Sequence, residues 1–356
     1  MIKKTETLSY DAHIRRKRLT LSVAILTVLA LGLFSITQGS IDLSLAEILR
    51  TFFGRGEQAS KTVVFGIRLP RVTAAILVGI ALGVTGAVMQ CVLNNPLASA
   101  STLGVSQGAA FGAAVGILFF GGGVVAGGSA NVAVAVDNPY IVTLCAFIFG
   151  SLSTVVILLL SQLKRNLGPG GLVLAGVALS SLFTGGSTLL QYFADETKLS
   201  AIVFWTFGNL GGVGWKQLAV LAVIVLASLV YFILNRWNYN AMRNGPEVAK
   251  SLGVDARRLM LVSMGICSLT AAVSVAFAGV ISFIGLVAPH IMRKFVGDDY
   301  RFLVPCSAAG GALVLLAADT FGRLIIQPVI LPVGAITSFL GAPVFLALLL
   351  KGDDKT

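Results

Sequence analysis

The chain has 356 residues, 56% of them hydrophobic and 12% charged, whereas soluble domains carry about 25% charged residues. That balance excludes a soluble enzyme or binding module of this length and indicates a polytopic helical membrane protein, because ten apolar windows of spanning length recur along the sequence. The net charge of +11 does not point to nucleic acid: if both termini are cytoplasmic, 18 of the 26 Lys and Arg fall on the inner side, as the positive-inside trend requires.

In chain order, residues 1–18 are predicted as a short, flexible cytoplasmic tail ending in Arg15-Arg16-Lys17-Arg18. The first span, 19–38, follows this basic run as a signal peptide would. It is long enough to cross a bilayer, and no small-residue cleavage site ends it, so it is read as retained. The second span, 71–92, is preceded on the outer side by Gly66-Ile67-Arg68-Leu69-Pro70-Arg71. Arg68 and Arg71 there, like Arg323 after the ninth span, run against the positive-inside trend. Interfacial snorkelling accounts for them, and so does an outward cationic surface for an acidic partner. Asn94-Asn95-Pro96 is either a plain helix end or a functional break.

The third span, 102–121, opens with Gly104-Val105-Ser106-Gln107-Gly108, which fits G-x-S-x-G. That motif needs a strand-to-helix turn with a placed His and acid, and here it opens an apolar helix, so a small-residue helix start is the better reading. Residues 121–138 form a Gly-rich outer connection that then alternates Val and Ala, either a short strand or a flexible loop. Spans follow at 139–161, 171–193 and 216–235, with Trp205 and Trp215 as interfacial anchors.

The polar loop 236–258 contains a stretch that reads as its own helix. Asn244 can cap it, Pro246 suits its first turn, Glu247 completes a capping box and Gly253 stops it. Val248, Ala249 and Leu252 fall on one side, with Glu247, Lys250 and Ser251 off it. A structured helix outside the bilayer offers another protein something to grip. The remaining spans are 259–278, 280–296, 302–320 and 333–350. His290 near the inner end of the eighth is read as helix-end packing or as part of an inner surface.

Absences narrow the function further. The span centres are nearly free of ionisable groups, which an ion-gradient-driven secondary transporter would need. No G-x-x-x-x-G-K-[ST] phosphate loop occurs, so uphill transport would draw its energy from another polypeptide. Two histidines and four scattered cysteines form no metal-site spacing.

Several stretches together resemble the FecCD-type permeases of binding-protein-dependent ABC importers for iron–siderophore, haem and cobalamin. They are Arg68-Leu-Pro-Arg71; Gly86-Ala-Val-Met-Gln90 running to Asn95-Pro-Leu-Ala98; Leu103-Gly-Val-Ser-Gln-Gly108; Pro246-Glu-Val-Ala-Lys-Ser-Leu-Gly-Val254; Phe283-Ile-Gly-Leu-Val-Ala-Pro-His290; and Leu331-Pro-Val-Gly334 with Gly341-Ala-Pro-Val-Phe345. The resemblance implies an all-α type II importer permease fold of about ten transmembrane helices, one membrane domain over 19–351 with 236–258 as its cytoplasmic coupling loop. It also implies a non-enzymatic subunit in the cytoplasmic membrane of a prokaryote. The implied partners are a second permease, identical or paralogous, two ATPase subunits that carry the ATP and Mg, and a substrate-binding protein. The binding protein would dock on Arg68, Arg71 and Arg323. The ATPase would seat Pro246, Glu247, Val248, Ala249, Leu252 and Gly253, and Asn95 with Leu97 would form the inner constriction of a pathway along the two-fold axis.

Overall fold

A computed structural model describes residues 2–39, 43–120, 123–126, 133–136, 139–163 and 169–350. Lys164 and Arg165, counted above among the inner basic residues, most of 121–138 and residues 351–356 lie outside them. The first helix, α1 (Ile2–Thr37), begins at residue 2, so the predicted flexible tail is corrected. No proline occurs between 2 and 37 and no glycine before Gly32, and nothing in the polar turns interrupts the ladder started in the span.

After α1 the chain forms two short helices, α2 (Leu45–Phe52) and α3 (Gln58–Lys61). A full capping box starts α2: Ser44 N–H donates to Glu47 Oε2 at 2.8 Å and Glu47 N–H to Ser44 Oγ at 3.2 Å. A π-helical stretch, Thr62–Arg68, leads from α3 into α4 (Leu69–Val92). Most residues of α4 are buried, and it forms the middle of the bundle. Turns over 93–104 lead to α5 (Val105–Phe120). A two-stranded antiparallel hairpin follows, β1 (Gly123–Ala126) with β2 (Ala133–Val136), Gly123 opposite Val136. The Val/Ala alternation thus marks a strand.

The rest is helical: α6 (Pro139–Leu163), α7 (Pro169–Phe193), α8 (Glu196–Thr206), α9 (Trp215–Leu234), α10 (Arg236–Met242), α11 (Pro246–Ser251), α12 (Ala256–Ala278), α13 (Ile284–Val296), α14 (Tyr300–Leu324) and α15 (Val333–Leu350). Among the described residues seven helical runs are long and apolar enough to cross a membrane, and two more, in α5 and α15, are shorter apolar helices. The eighth window holds only the 13-residue α13, which ends on Arg293 and Lys294. It is short because 279–283 is irregular, with Gly279 and Phe283 both at positive φ. A neighbouring loop caps the helix before that break: Asn209 N–H donates to Ala278 O at 2.7 Å, and the same loop is tied to the start of α15 by Gly334 N–H donating to Phe207 O at 3.0 Å. Irregular backbone at membrane depth survives where protein covers it in this way.

Helices α4, α13 and α14 approach one another closely enough for their backbones to touch. A Cβ on Gly83 would overlap Ser307 O of α14, and one on Gly86 would overlap Gly285 O of α13. Small residues permit this intimacy in membrane bundles, where van der Waals contact replaces the hydrophobic effect.

Candidate functional site

The two ends of the bundle carry the residues singled out above. At the end where α1 and α14 stop and α4 begins, three arginines converge. Arg68 Nη1 donates to the carbonyls of Ile36 at 2.9 Å and Thr37 at 3.1 Å. Arg71 engages Asp319 through Nε and Nη2, both near 3 Å from Oδ1. Arg323, one turn beyond Asp319 on α14, donates from Nε to Oδ2 at 3.1 Å, from Nη1 to Ser35 O and Gln38 O at 3.3 Å, and also binds Ser35 Oγ.

The expected outward cationic surface is therefore corrected in one respect: Arg68, Arg71 and Arg323 are 4%, 8% and 8% exposed, with guanidiniums turned inward. The physical reason is the last turn of α1, whose carbonyls have no partner within the helix and carry partial negative charge. Asp319, itself fully buried, supplies the rest of the counter-charge. Among the described residues, Asp319 is the carboxylate that Arg71 and Arg323 share. Sequence reading did not identify Asp319 as the shared partner. Its i,i+4 spacing to Arg323 was available, but its pairing with Arg71 spans 248 positions.

At the opposite end stands α11. Its N-cap is Gly245, at φ 101°, with no side-chain cap, so the Asn244–Glu247 capping box is corrected. The positive φ of Gly245 points the chain away from the geometry Asn244 would need. The stop at Gly253 is as expected: it lies at φ 83°, and Val254 N–H returns to Ala249 O at 2.9 Å, closing the helix as a left-handed terminus does. Ala249 is wholly buried against the bundle, while Pro246, Glu247, Val248 and Leu252 are exposed. The three apolar residues predicted to share one side are thus divided, one anchoring the helix and two facing outward.

Behind α11, α10 is tied to the start of α14. Asn240 Nδ2 donates to Asp299 Oδ1 at 3.0 Å and its Oδ1 accepts from Tyr300 N–H at 2.7 Å. Arg301 grips Asp299 with Nε and Nη2 and lies over the Trp237 ring, 4.8 Å from its centroid. Burial raises the Asp299 pKa, but these hydrogen bonds and the Arg301 charge outweigh it and hold the carboxyl down to about 2.

Also at this end, the turn after α4 carries Asn95 and Leu97. Asn95 Oδ1 accepts from Leu97 N–H at 2.9 Å, an Asx turn, and Asn95 N–H donates to Gln90 O at 3.1 Å. Leu97 is 41% exposed. Ser106 is buried at the start of α5 and is preceded by turns rather than a strand, so it does not form a nucleophile elbow. His290 packs edge-on against Phe345, and Trp215 Nε1 donates to Phe65 O at 2.9 Å.

The profile of the FecCD transport family matches residues 26–351. The chain is 47% identical over 342 residues to MJ0087 of Methanocaldococcus jannaschii, named as an ABC transporter permease protein, covering 96% of this chain and 97% of that one. It is 36% identical over 344 residues to the hemin transport system permease protein HmuU of Yersinia pestis, covering 95% and 97%. A solved structure described as an inward-facing conformation of a metal-chelate type ABC transporter superposes with a TM-score of 0.80 at 30% identity, covering 93% of this chain and 98% of the other.

Proposed function

Because the chain belongs to the FecCD transport family, we propose that it is the membrane-spanning permease subunit of an ATP-driven, binding-protein-dependent importer that carries a metal chelate, an iron–siderophore or a related compound such as haem or cobalamin, across the cytoplasmic membrane. The observation that carries this reading is α11: a six-residue helix outside the spans, anchored by buried Ala249, that offers Val248 and Leu252 to a partner. Exposed apolar side chains on a rigid support suit a docking contact.

In this reading the α11 end is cytoplasmic and both termini lie there. A separate pair of ATPase subunits grips α11 and supplies ATP and Mg, and a second permease subunit completes the pathway. A substrate-binding protein docks at the opposite end on Arg68, Arg71 and Arg323. Because their side chains are buried, its carboxylates are steered by the clustered guanidiniums and compete with their present partners, Asp319 and the α1 carbonyls among them. Asn95 and Leu97 form the inner gate, and selectivity for the chelate rests largely with the binding protein.

An ion-gradient mechanism is the rival. Asp319 is a carboxylate within a spanning helix, but it is committed to two arginines rather than free to bind and release a cation. The direct test is Leu252→Asp. In membranes also containing the ATPase and binding protein, it should abolish co-purification of the ATPase while the permease itself still folds. Normal ATPase assembly and normal hemin or ferric-siderophore uptake with this variant would refute the α11 contact.

A further inference from the structure

Between α11 and the turn after α4 runs a line of polar side chains to which none of the roles above assigns a part. Arg243, just before Gly245, places Nη2 3.4 Å from Asp298 Oδ2. Asp298 sits in the short link between α13 and α14, and its other oxygen lies 2.7 Å from Arg293 Nε as an ion pair. Arg293, in the last turn of α13, donates from Nη2 to Gln90 Oε1 at 3.1 Å. Gln90 occupies the last turn of α4 and is buried; its amide donates to Gly285 O at 3.3 Å. Its backbone carbonyl accepts the Asn95 N–H that shapes the turn carrying Leu97. Four side chains from three separate parts of the chain thus join the loop bearing α11 to the Asn95–Leu97 turn, with no step longer than 3.4 Å.

The chemistry distinguishes this line from an ordinary surface ion pair, which contributes little. Asp298 is shared by two arginines from different elements, so a displacement of Arg243 changes how it holds Arg293. Arg293 sets Nε against the Asp298 carboxylate as a close ion pair outside hydrogen-bond geometry while Nη2 donates to a buried amide, and a lysine ammonium, a single point charge, cannot occupy both positions at once. Gln90 is engaged through its amide nitrogen, its amide oxygen and its backbone carbonyl.

We propose that Arg243, Asp298, Arg293 and Gln90 are positioning residues that transmit displacement of α11 to the Asn95–Leu97 turn. The proposal rests on reading α11 as the ATPase contact and that turn as the gate. Continuity of contacts alone does not establish coupling, so the test measures coupling itself.

In the assembled complex with its ATPase, Leu97→Cys serves as a reporter, with the half-buried Cys145 replaced by Ser. Its maleimide labelling rate is measured with and without ATP. With the four residues intact, ATP should change the rate by about tenfold, within the usual range of coupling between sites. Asp298→Asn and Arg293→Lys should each reduce that response to less than about twofold while ATP hydrolysis and the unfolding midpoint stay near those of the parent. Arg243→Ala with Gln90→Ala should be no worse than either alone, because members of one network are not additive. Arg293→Lys keeps the charge and the stem, so it remains informative if Asp298→Asn assembles poorly. A full ATP response in Arg293→Lys, or effects of Arg243→Ala and Gln90→Ala that simply multiply, overturns the proposal alone. A parent complex whose Leu97→Cys ignores ATP overturns the reading beneath it and the proposal together.

Discussion

Asp319 shows how a residue can be visible in the sequence while its role is not. The outer arginines stand out in the sequence because they break the charge asymmetry, whereas Asp319 carries no such mark. Its meaning comes from Arg71, contributed by a helix far away in sequence. Removing one partner of a buried ion pair leaves uncompensated charge, which typically costs about 3–5 kcal/mol, a large fraction of the roughly 5–15 kcal/mol by which folded proteins are stable. Asp319→Ala should therefore lower the unfolding free energy of the detergent-solubilised protein by about that much; a change below ~1 kcal/mol would show that the α1 carbonyls and water suffice. The same geometry changes how docking should be probed. A glutamate at position 71 would face Asp319, so charge reversal there would confuse misfolding with lost binding, whereas Arg71→Lys keeps the charge and gives up only the two-pronged grip.

Among the elements, α11 and the α4–α14 pair illustrate what local pattern can and cannot supply. The existence, polarity and stop of α11 were legible from Pro246, Glu247 and Gly253, since proline at the start and glycine past the end are backbone requirements. Its cap was not, because Asn244 and Gly245 both suit that position and tertiary placement chose the glycine. The glycines of α4 were legible only as permissive of close packing; which of them meet a neighbour required the fold. That distinction is testable. Gly83→Val forces a side chain into the Ser307 carbonyl and should cost at least 1–3 kcal/mol, seen as a lowered unfolding midpoint and poor yield. Gly265→Ala on α12 meets nothing within 4 Å and should be neutral or stabilise by up to about 1 kcal/mol through helix propensity. Equal effects of the two would contradict the backbone contact.

For the whole molecule, each of the ten apolar windows contains a helix, but hydropathy overstates the length of some. Apolar residues in 102–104 and 280–283 add to a window whether or not their backbone is helical, and only tertiary hydrogen bonds reveal that those stretches are bent. Helix α14, about 37 Å long at 1.5 Å per residue, reaches from the Asp299 network to the Asp319 cluster and so links the two ends of the bundle. Vesicles containing this polypeptide without an ATPase should neither concentrate hemin nor release a trapped fluorescent dye faster than protein-free vesicles; accumulation there would favour the gradient-driven rival.

The contact of Gly83 and Gly86 with the neighbouring main chains has a further consequence for traffic across the bilayer. Where peptide planes abut, no file of water can thread, so the seam of α4 with α13 and α14 is closed at Gly83 and Gly86. On the proposed reading, a cargo as bulky as a porphyrin would then pass along the flank of the subunit, in a conduit completed by the flank of a second permease.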